Sequence, residues 1–185
     1  MDRKHKHSSV EQYQIEAKRK PRRRKSGNRR TLTISDFRFE ITQEVIEYLS
    51  GQVKKSGNEQ AGILIGSEIG DHAYRINKAS EPCGIKQKAS KIGCVRNAKK
   101  ANEIIATEFE KSNGTRVYLG EWHTHPEEYP SPSYVDTKSI KTITETGDIP
   151  VEGIFLIIVG LEQFYFGFHY NGLRISAMTT QAFRR

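Results

Sequence analysis

Two histidines separated by a single residue, His123 and His125, stand in the segment GEWHTHPEEYPSPSYVD, residues 120–136. In an extended strand successive side chains alternate faces, so both imidazoles project to one side and can approach one ion. Neutral imidazole nitrogen is a favoured zinc ligand, and a carboxylate as third protein ligand leaves a fourth position for water. Asp136 is placed to be that carboxylate. It follows a loop in which Pro126, Pro130 and Pro132 restrict the backbone, lowering the entropy lost when the carboxylate is held opposite the histidines. Such a site would suit hydrolysis, because zinc on three protein ligands brings the pKa of its water down to about 7. Each part also has a plainer reading. An His-x-His pair can sit on the polar side of an edge strand. Ser133-x-x-Asp136 at a helix mouth is a capping arrangement, with Ser133 accepting a backbone N–H and Asp136 favoured at the positive end of the dipole.

These residues need a scaffold. Leu32 and Ile34, then Phe37, Phe39 and Ile41, alternate with their neighbours in the period-2 pattern of extended chain. Thr42 can cap a helix carrying Val45, Ile46, Leu49 and Val53 at helical spacing, ended by the Ser-Gly-Asn of 56–58. AGILIG at 61–66, preceded by Glu59, reads as a buried strand, and His72 to Ala79 as its partner across the turn-like EIGD. Residues 80–96 hold Pro, Gly and Lys without a sustained period and read as a long loop, a length associated with function in a compact domain. Ala98, Ala101, Ile104, Ile105 and Phe109 describe one face of a helix that stops at Asn113-Gly114. The strand RVYLGEWHTH carries the histidines, Asp136 to Thr146 is predicted helical, and GIFLIIVG at 153–160 is a buried strand. In QFYFGFHY, residues 163–170, Phe164, Phe166, Phe168 and Tyr170 share one face. His169 falls on the other and is predicted to be a surface residue. Interleaved helices and strands predict one α/β domain with a mixed β-sheet flanked by helices.

The chain has 185 residues and is 35% hydrophobic, enough for one core. No run approaches the roughly 18 apolar residues of a membrane span. The start MDRKHKHSSV lacks the apolar stretch of a secretion signal, so the expectation is a cytoplasmic protein with no membrane partner. Cys83 and Cys94 match no common zinc or redox spacing, and no structural disulfide is expected between them in a reducing compartment. The net charge is +8, but residues 1–30 hold 12 Lys and Arg against 3 acids, and the remainder 18 against 19. All the excess therefore sits in an arm too poor in apolar residues to offset the entropy of ordering. Residues 1–30 are predicted to be a disordered basic arm and residues 31–185 the folded domain. The arm reads either as solubilising or as a contact for an acidic partner, nucleic acid or an anionic membrane surface.

His-x-His, seven residues, then Ser-x-x-Asp, with a Glu shortly before a Gly-rich apolar strand, resembles the JAMM motif of the JAB/MPN metallopeptidases. The resemblance spans residues 32–178, and no member of the motif is missing. It implies a single MPN/JAB-like domain in which His123, His125 and Asp136 bind one Zn²⁺ per chain, Glu59 in EQAGILIG is the general acid/base, and Ser133 helps to stabilise the oxyanion. The wording YLGEWHTHPEEYPSPSYVD is most similar to prokaryotic JAB peptidases encoded beside E1- and E2-like proteins, including those of CBASS antiphage systems. Elementary chemistry agrees with these roles. A carboxylate beside the metal can take the water's proton and deliver it to the leaving amine, and a hydroxyl aimed at the oxyanion stabilises charge as it develops. Glu121 shares the strand parity of His123 and His125 and competes for the part of base. The resemblance favours Glu59 and leaves Glu121 to orient a neighbouring group or to lie at the sheet end. Glu127 and Glu128 are assigned to the solvated loop.

The function so implied is a zinc isopeptidase of antiphage defence. It would cleave the amide bond after the C-terminal tail of a ubiquitin-like protein or of a conjugated cGAS-like nucleotidyltransferase. A free extended tail can be threaded along a sheet edge by main-chain hydrogen bonds, and the 80–96 loop is the candidate for part of that groove. Two alternatives stay open: a JAB-type deubiquitinase-like protease of another prokaryotic ubiquitin-like pathway, and a non-catalytic MPN scaffold, against which the complete motif speaks. The partners implied are the tailed protein substrate and the E1/E2-like proteins of its pathway, with nucleic acid a further candidate for the arm.

Overall fold

The structure is a computed structural model that describes residues 37–52, 58–85, 96–147 and 149–170, and the backbone of 173–177. The arm 1–30, the strand positions Leu32 and Ile34, the helix position Val53, and Cys94 lie outside the described residues. In chain order the elements are β1 (Arg38–Ile41), α1 (Gln43–Ser50), β2 (Ala61–Gly70), β3 (Ala73–Ala79) and α2 (Ala98–Lys111), then β4 (Val117–Thr124), α3 (Tyr134–Thr146), β5 (Gly153–Val159), β6 (Phe164–Tyr170) and β7 (Leu173–Ala177). The strands form one mixed sheet in the order β1-β3-β2-β4-β5-β6-β7. It is parallel at β1/β3 and β4/β5 and antiparallel elsewhere.

The apolar run of β5 offers water nothing on either side, so it fits only where both faces are covered. Phe155, Ile157 and Val159 enter one core with Leu64, Leu119 and Trp122, beneath Val45 and Leu49 of α1. Ile154, Leu156 and Ile158 enter the other with Ile63 and Tyr118, beneath Ala101 of α2 and Ile140 of α3. Among the described residues, the predicted α/β domain is thus a sheet between one helix and two. Each fully buried Leu or Ile contributes about 1.5–3 kcal/mol, and β5 and its neighbour β4 concentrate that contribution at the centre of the sheet.

Several expectations need correction. β2 continues through Gly70, so most of the expected EIGD turn is strand, and the reversal falls on Asp71 and His72, the latter at φ 50°. Thr42 stands at the start of α1 without a side-chain capping bond, and α1 ends at Gly51. In α2 the buried residue near the C-terminus is Glu108, while Phe109 is 47% exposed. Lys78 of β3 and Arg116 reach Glu108 at 2.6 and 3.1 Å, so an ion-paired contact takes the place expected for Phe109, while Ala101, Ile104 and Ile105 face the core as their spacing requires. His169 is buried, not at the surface. α3 packs over β5 and β6 and covers the face of β6 that its phenylalanines leave. Cys83 is a free, buried thiol. Among the described residues no helix is long and apolar enough to cross a membrane.

Candidate metal centre

β4 lies between β2 and β5, with His123 opposite Ala61 on one side and Ile158 on the other. His125 extends the ladder through a 2.9 Å bond from its N–H to the Val159 carbonyl. The structure brings both imidazoles to one face, as their parity requires. Asp136 arrives from the first turn of α3 in a reciprocal cap. The Ser133 Oγ accepts from the Asp136 N–H at 3.2 Å, and the Asp136 Oδ2 accepts from the Ser133 N–H at 2.7 Å. The capping reading and the ligand reading of Ser133-x-x-Asp136 therefore coexist, because the carboxylate has oxygen lone pairs for both. The intervening loop is tied to the β5–β6 turn by the Leu161 N–H on the Glu127 carbonyl, 2.7 Å, and the Glu162 N–H on the Glu128 carbonyl, 3.2 Å. Glu59 is set in place by its neighbour Gln60, which exchanges hydrogen bonds of 3.0 and 2.9 Å with Thr124.

The His123 and His125 Nε2 atoms are 3.1 Å apart. Asp136 Oδ1 is 3.4 Å from the first, and Oδ2 is 3.7 Å from the second. One ligand atom from each residue lies within 4.8 Å of the others, and the three side chains are only 11%, 8% and 16% exposed. Two imidazole nitrogens and a carboxylate oxygen aimed at a common point repel one another unless a cation or proton stands between them. This donor set fits zinc, with a coordination place to spare. Glu127 is exposed as expected, yet its Oε2 is 3.7 Å from His125 Nδ1, close enough to act on the ring by charge but beyond hydrogen-bond reach. Glu59 Oε1 lies 3.9 Å from His125 Nε2, beside the three donors rather than among them.

The charges fall into opposed groups. Burial pushes the Glu59 carboxyl up to about 7, with His123 pulling down and Asp136 and Glu127 pushing further up. Burial works the same way on Asp136, but His123 and the hydrogen bond from Ser133 outweigh it and hold that carboxyl well below the usual carboxylate range. His125 is shifted down, first by burial and then by His123, which favours the neutral ring with a lone pair to offer.

Glu121 faces the same side as the histidines and is engaged elsewhere. Arg96 donates to its Oε1, and the Tyr118 hydroxyl donates to the same oxygen at 2.5 Å. Three residues along a regular strand would put Tyr118 and Glu121 on opposite faces. A bulge at Leu119–Gly120 restores them to one, with Leu64 opposite Gly120 and Ile65 opposite Tyr118. Gly120 adopts φ 151°, and a Cβ there would meet the Phe155 carbonyl at 2.1 Å. Arg96 and Tyr118 escaped the reading of the sequence. A glycine inside a strand pattern was the one available signal of the bulge. Nothing marks Arg96, 25 residues from its partner.

Comparison with known proteins gives consistent results. The family model described as prokaryotic homologs of the JAB domain matches residues 42–168, a stretch that contains all five motif residues. A protein of Escherichia coli (strain TW11681) named CD-NTase/cGAS isopeptidase is 36% identical over 129 residues, 69% of this chain and 79% of its own. One of the same name from Vibrio cholerae serotype O1 is 39% identical over 113 residues, 59% of this chain and 66% of its own. The solution structure of a Desulfitobacterium hafniense protein superposes with a TM-score of 0.50 at 17% identity, covering 74% of this chain and 87% of that one. That likeness concerns the fold alone.

Proposed function

This chain belongs to the family of prokaryotic homologues of the JAB domain, and we propose that it is a zinc-dependent isopeptidase acting on a conjugated cGAS-like nucleotidyltransferase in a CBASS-type system. The relatives named CD-NTase/cGAS isopeptidase support a hydrolase of isopeptide bonds. The zinc reading rests on the convergence of the His123, His125 and Asp136 donor atoms within 4.8 Å. Zinc on such donors supplies Lewis acidity, polarising an amide carbonyl and making water nucleophilic near neutral pH.

The chain's own groups do the rest. Glu59 takes a proton from the attacking water and returns it to the departing amine nitrogen. The C–N bond then breaks to leave a carboxyl on the tail and a free amine on its former partner. Burial raises the affinity of Glu59 for a proton, and positive charge held by His123, His125 and Asp136 would favour the carboxylate form needed to accept one. The Ser133 oxygen accepts from the Asp136 N–H, which leaves the hydroxyl hydrogen to donate to the oxyanion. Glu121, held by Arg96 and Tyr118, stays out of proton transfer.

Purified protein should carry about one Zn²⁺ per chain and release the nucleotidyltransferase from an amide-linked partner. His123→Ala and Asp136→Ala should lose metal and activity together. Full zinc in Asp136→Ala would put the third ligand elsewhere, and a zinc-loaded wild type that leaves the conjugate intact would reject the substrate class.

A further inference from the structure

A half-buried ion pair, between Glu121 on the histidine-bearing strand and Arg96 outside it, has no part in the chemistry just derived. Arg96 donates through Nη1 to Glu121 Oε1, the Tyr118 hydroxyl donates to the same oxygen at 2.5 Å, and the guanidinium carbon lies 5.9 Å from the centre of the Tyr118 ring. A sunken Arg–Glu pair loses hydration that its mutual attraction seldom restores, so stability alone is a poor reason to keep one. It does achieve orientation. The guanidinium is pinned by Glu121 and rests against an aromatic ring, which fixes a planar fork in advance of any ligand. The bond to Glu121 uses one of its five N–H donors. Arg96 keeps 30% of its side chain exposed against 12% for Glu121, so the carboxylate is sealed while the fork stays open to a ligand.

Two features place that fork relative to the metal donors. Glu121 precedes His123 by two residues on one strand face, about 7 Å at the usual rise of a strand. Across the sheet, Ala61 lies opposite His123, the Cys83 N–H bonds the Ala61 carbonyl at 2.8 Å, and the Asn97 N–H bonds the Cys83 carbonyl at 2.8 Å. These steps place the Gly84–Arg96 bridge at the same end of the sheet as the histidines, on the far side of β2. An extended peptide advances at the same rise, so a tail with its last carbonyl at the metal donors has a residue about two positions upstream level with Arg96.

We propose that Arg96 is a substrate-binding residue whose fork, held by Glu121 and Tyr118, donates to a main-chain carbonyl of the tail about two residues before the scissile bond. The inference rests on the isopeptidase reading above and adds to it the part of the substrate that is gripped. Arg96 and Glu121 cancel in charge, so the acceptor is a neutral carbonyl rather than a carboxylate. Recognition at this point is therefore indifferent to the tail's side chain.

The probe is a synthetic peptide of the nucleotidyltransferase's last residues, amide-linked to a lysine side chain. A matched series replaces single upstream amides by esters, which weakens one carbonyl acceptor at a time. Rates, melting temperature and zinc content are measured on the full-length, zinc-loaded wild type, on Arg96→Ala, and on Arg96→Ala combined with Glu121→Gln, which leaves no bare buried carboxylate. Loss of Arg96 should lower kcat/KM about tenfold to a hundredfold, the worth of one hydrogen bond from a charged donor, chiefly through KM and without loss of zinc. The wild type should show part of that loss with the ester at one position, and the Arg96 variants none there. A scan in which no ester costs the wild type more than about twofold, or in which the variants feel every ester as the wild type does, overturns the proposal. A zinc-loaded wild type that leaves the parent peptide whole instead rejects the isopeptidase reading, and this inference with it.

Discussion

Glu108 and Glu59 are sealed to nearly the same degree, with 5% and 9% of their side chains exposed, yet their surroundings push them in opposite directions. Glu108 on α2 is met by Lys78 at 2.6 Å and Arg116 at 3.1 Å. The hydrogen bond from Lys78 outweighs the opposing burial and lowers its pKa. Glu59 has His125 at 3.9 Å, while Asp136 and Glu127 add negative potential, and burial carries it up to about 7. Burial sets the cost of a charge, but the neighbours decide which protonation state bears it. A carboxylate that holds elements together is matched by cations; one suited to moving protons is left undercompensated.

The contrast is sharpest if each residue is neutralised in turn. Glu59→Gln should cut the single-turnover rate by about two to four orders of magnitude, keep its zinc, and leave thermal stability unchanged or raised. A near-normal rate in a zinc-loaded Glu59→Gln preparation would break the comparison at its functional end. Glu108→Gln should do the reverse, sparing the rate and lowering stability by about 1–3 kcal/mol at neutral pH. The folded pKa of Glu108 lies below its ordinary value of 4.5, so its contribution is complete above that value and fades as pH falls through the folded pKa. Denaturation across a pH series should therefore show the gap between wild type and Glu108→Gln closing in acid; a gap that widens there would refute the pairing. Asp136 stands between the two cases, lowered like Glu108 but inside the site. Ser133→Ala tests the smaller effect, because it removes one half of the cap and should cost about 1 kcal/mol in melting experiments. Unchanged stability would mean that the cap contributes nothing to fixing Asp136.

The histidine pair and its distant carboxylate were legible because they depend on local regularities: strand parity holds from Glu121 to His125, and a capping pattern starts a helix wherever it folds. Glu59 was legible only by resemblance, since its approach to His125 depends on β2 pairing with β4 across more than sixty residues. The misses have the same cause. Parity flips upstream of Gly120 at a bulge, so Tyr118 turned out to share a face with Glu121. His169 is buried although its strand alternates, because the face of β6 opposite its phenylalanines is covered by segments far from it in the chain. The spacing assigns Phe109 to the apolar face of α2, where the structure buries Glu108 instead, because the two cations that hold Glu108 come from β3 and from the approach to β4.

The reciprocal cap at the start of α3 has a consequence for how the protein matures. The same carboxylate that would complete the metal's coordination also accepts the Ser133 N–H and so secures the first turn of the helix. Ion binding and local helix formation then draw on a single side chain and are thermodynamically linked. Because the carboxylate has lone pairs for both, a cation held there would tighten the same first turn that the cap already secures. A chain that acquired such an ion late in folding would therefore gain stability at the entrance of α3 as well as at the site itself.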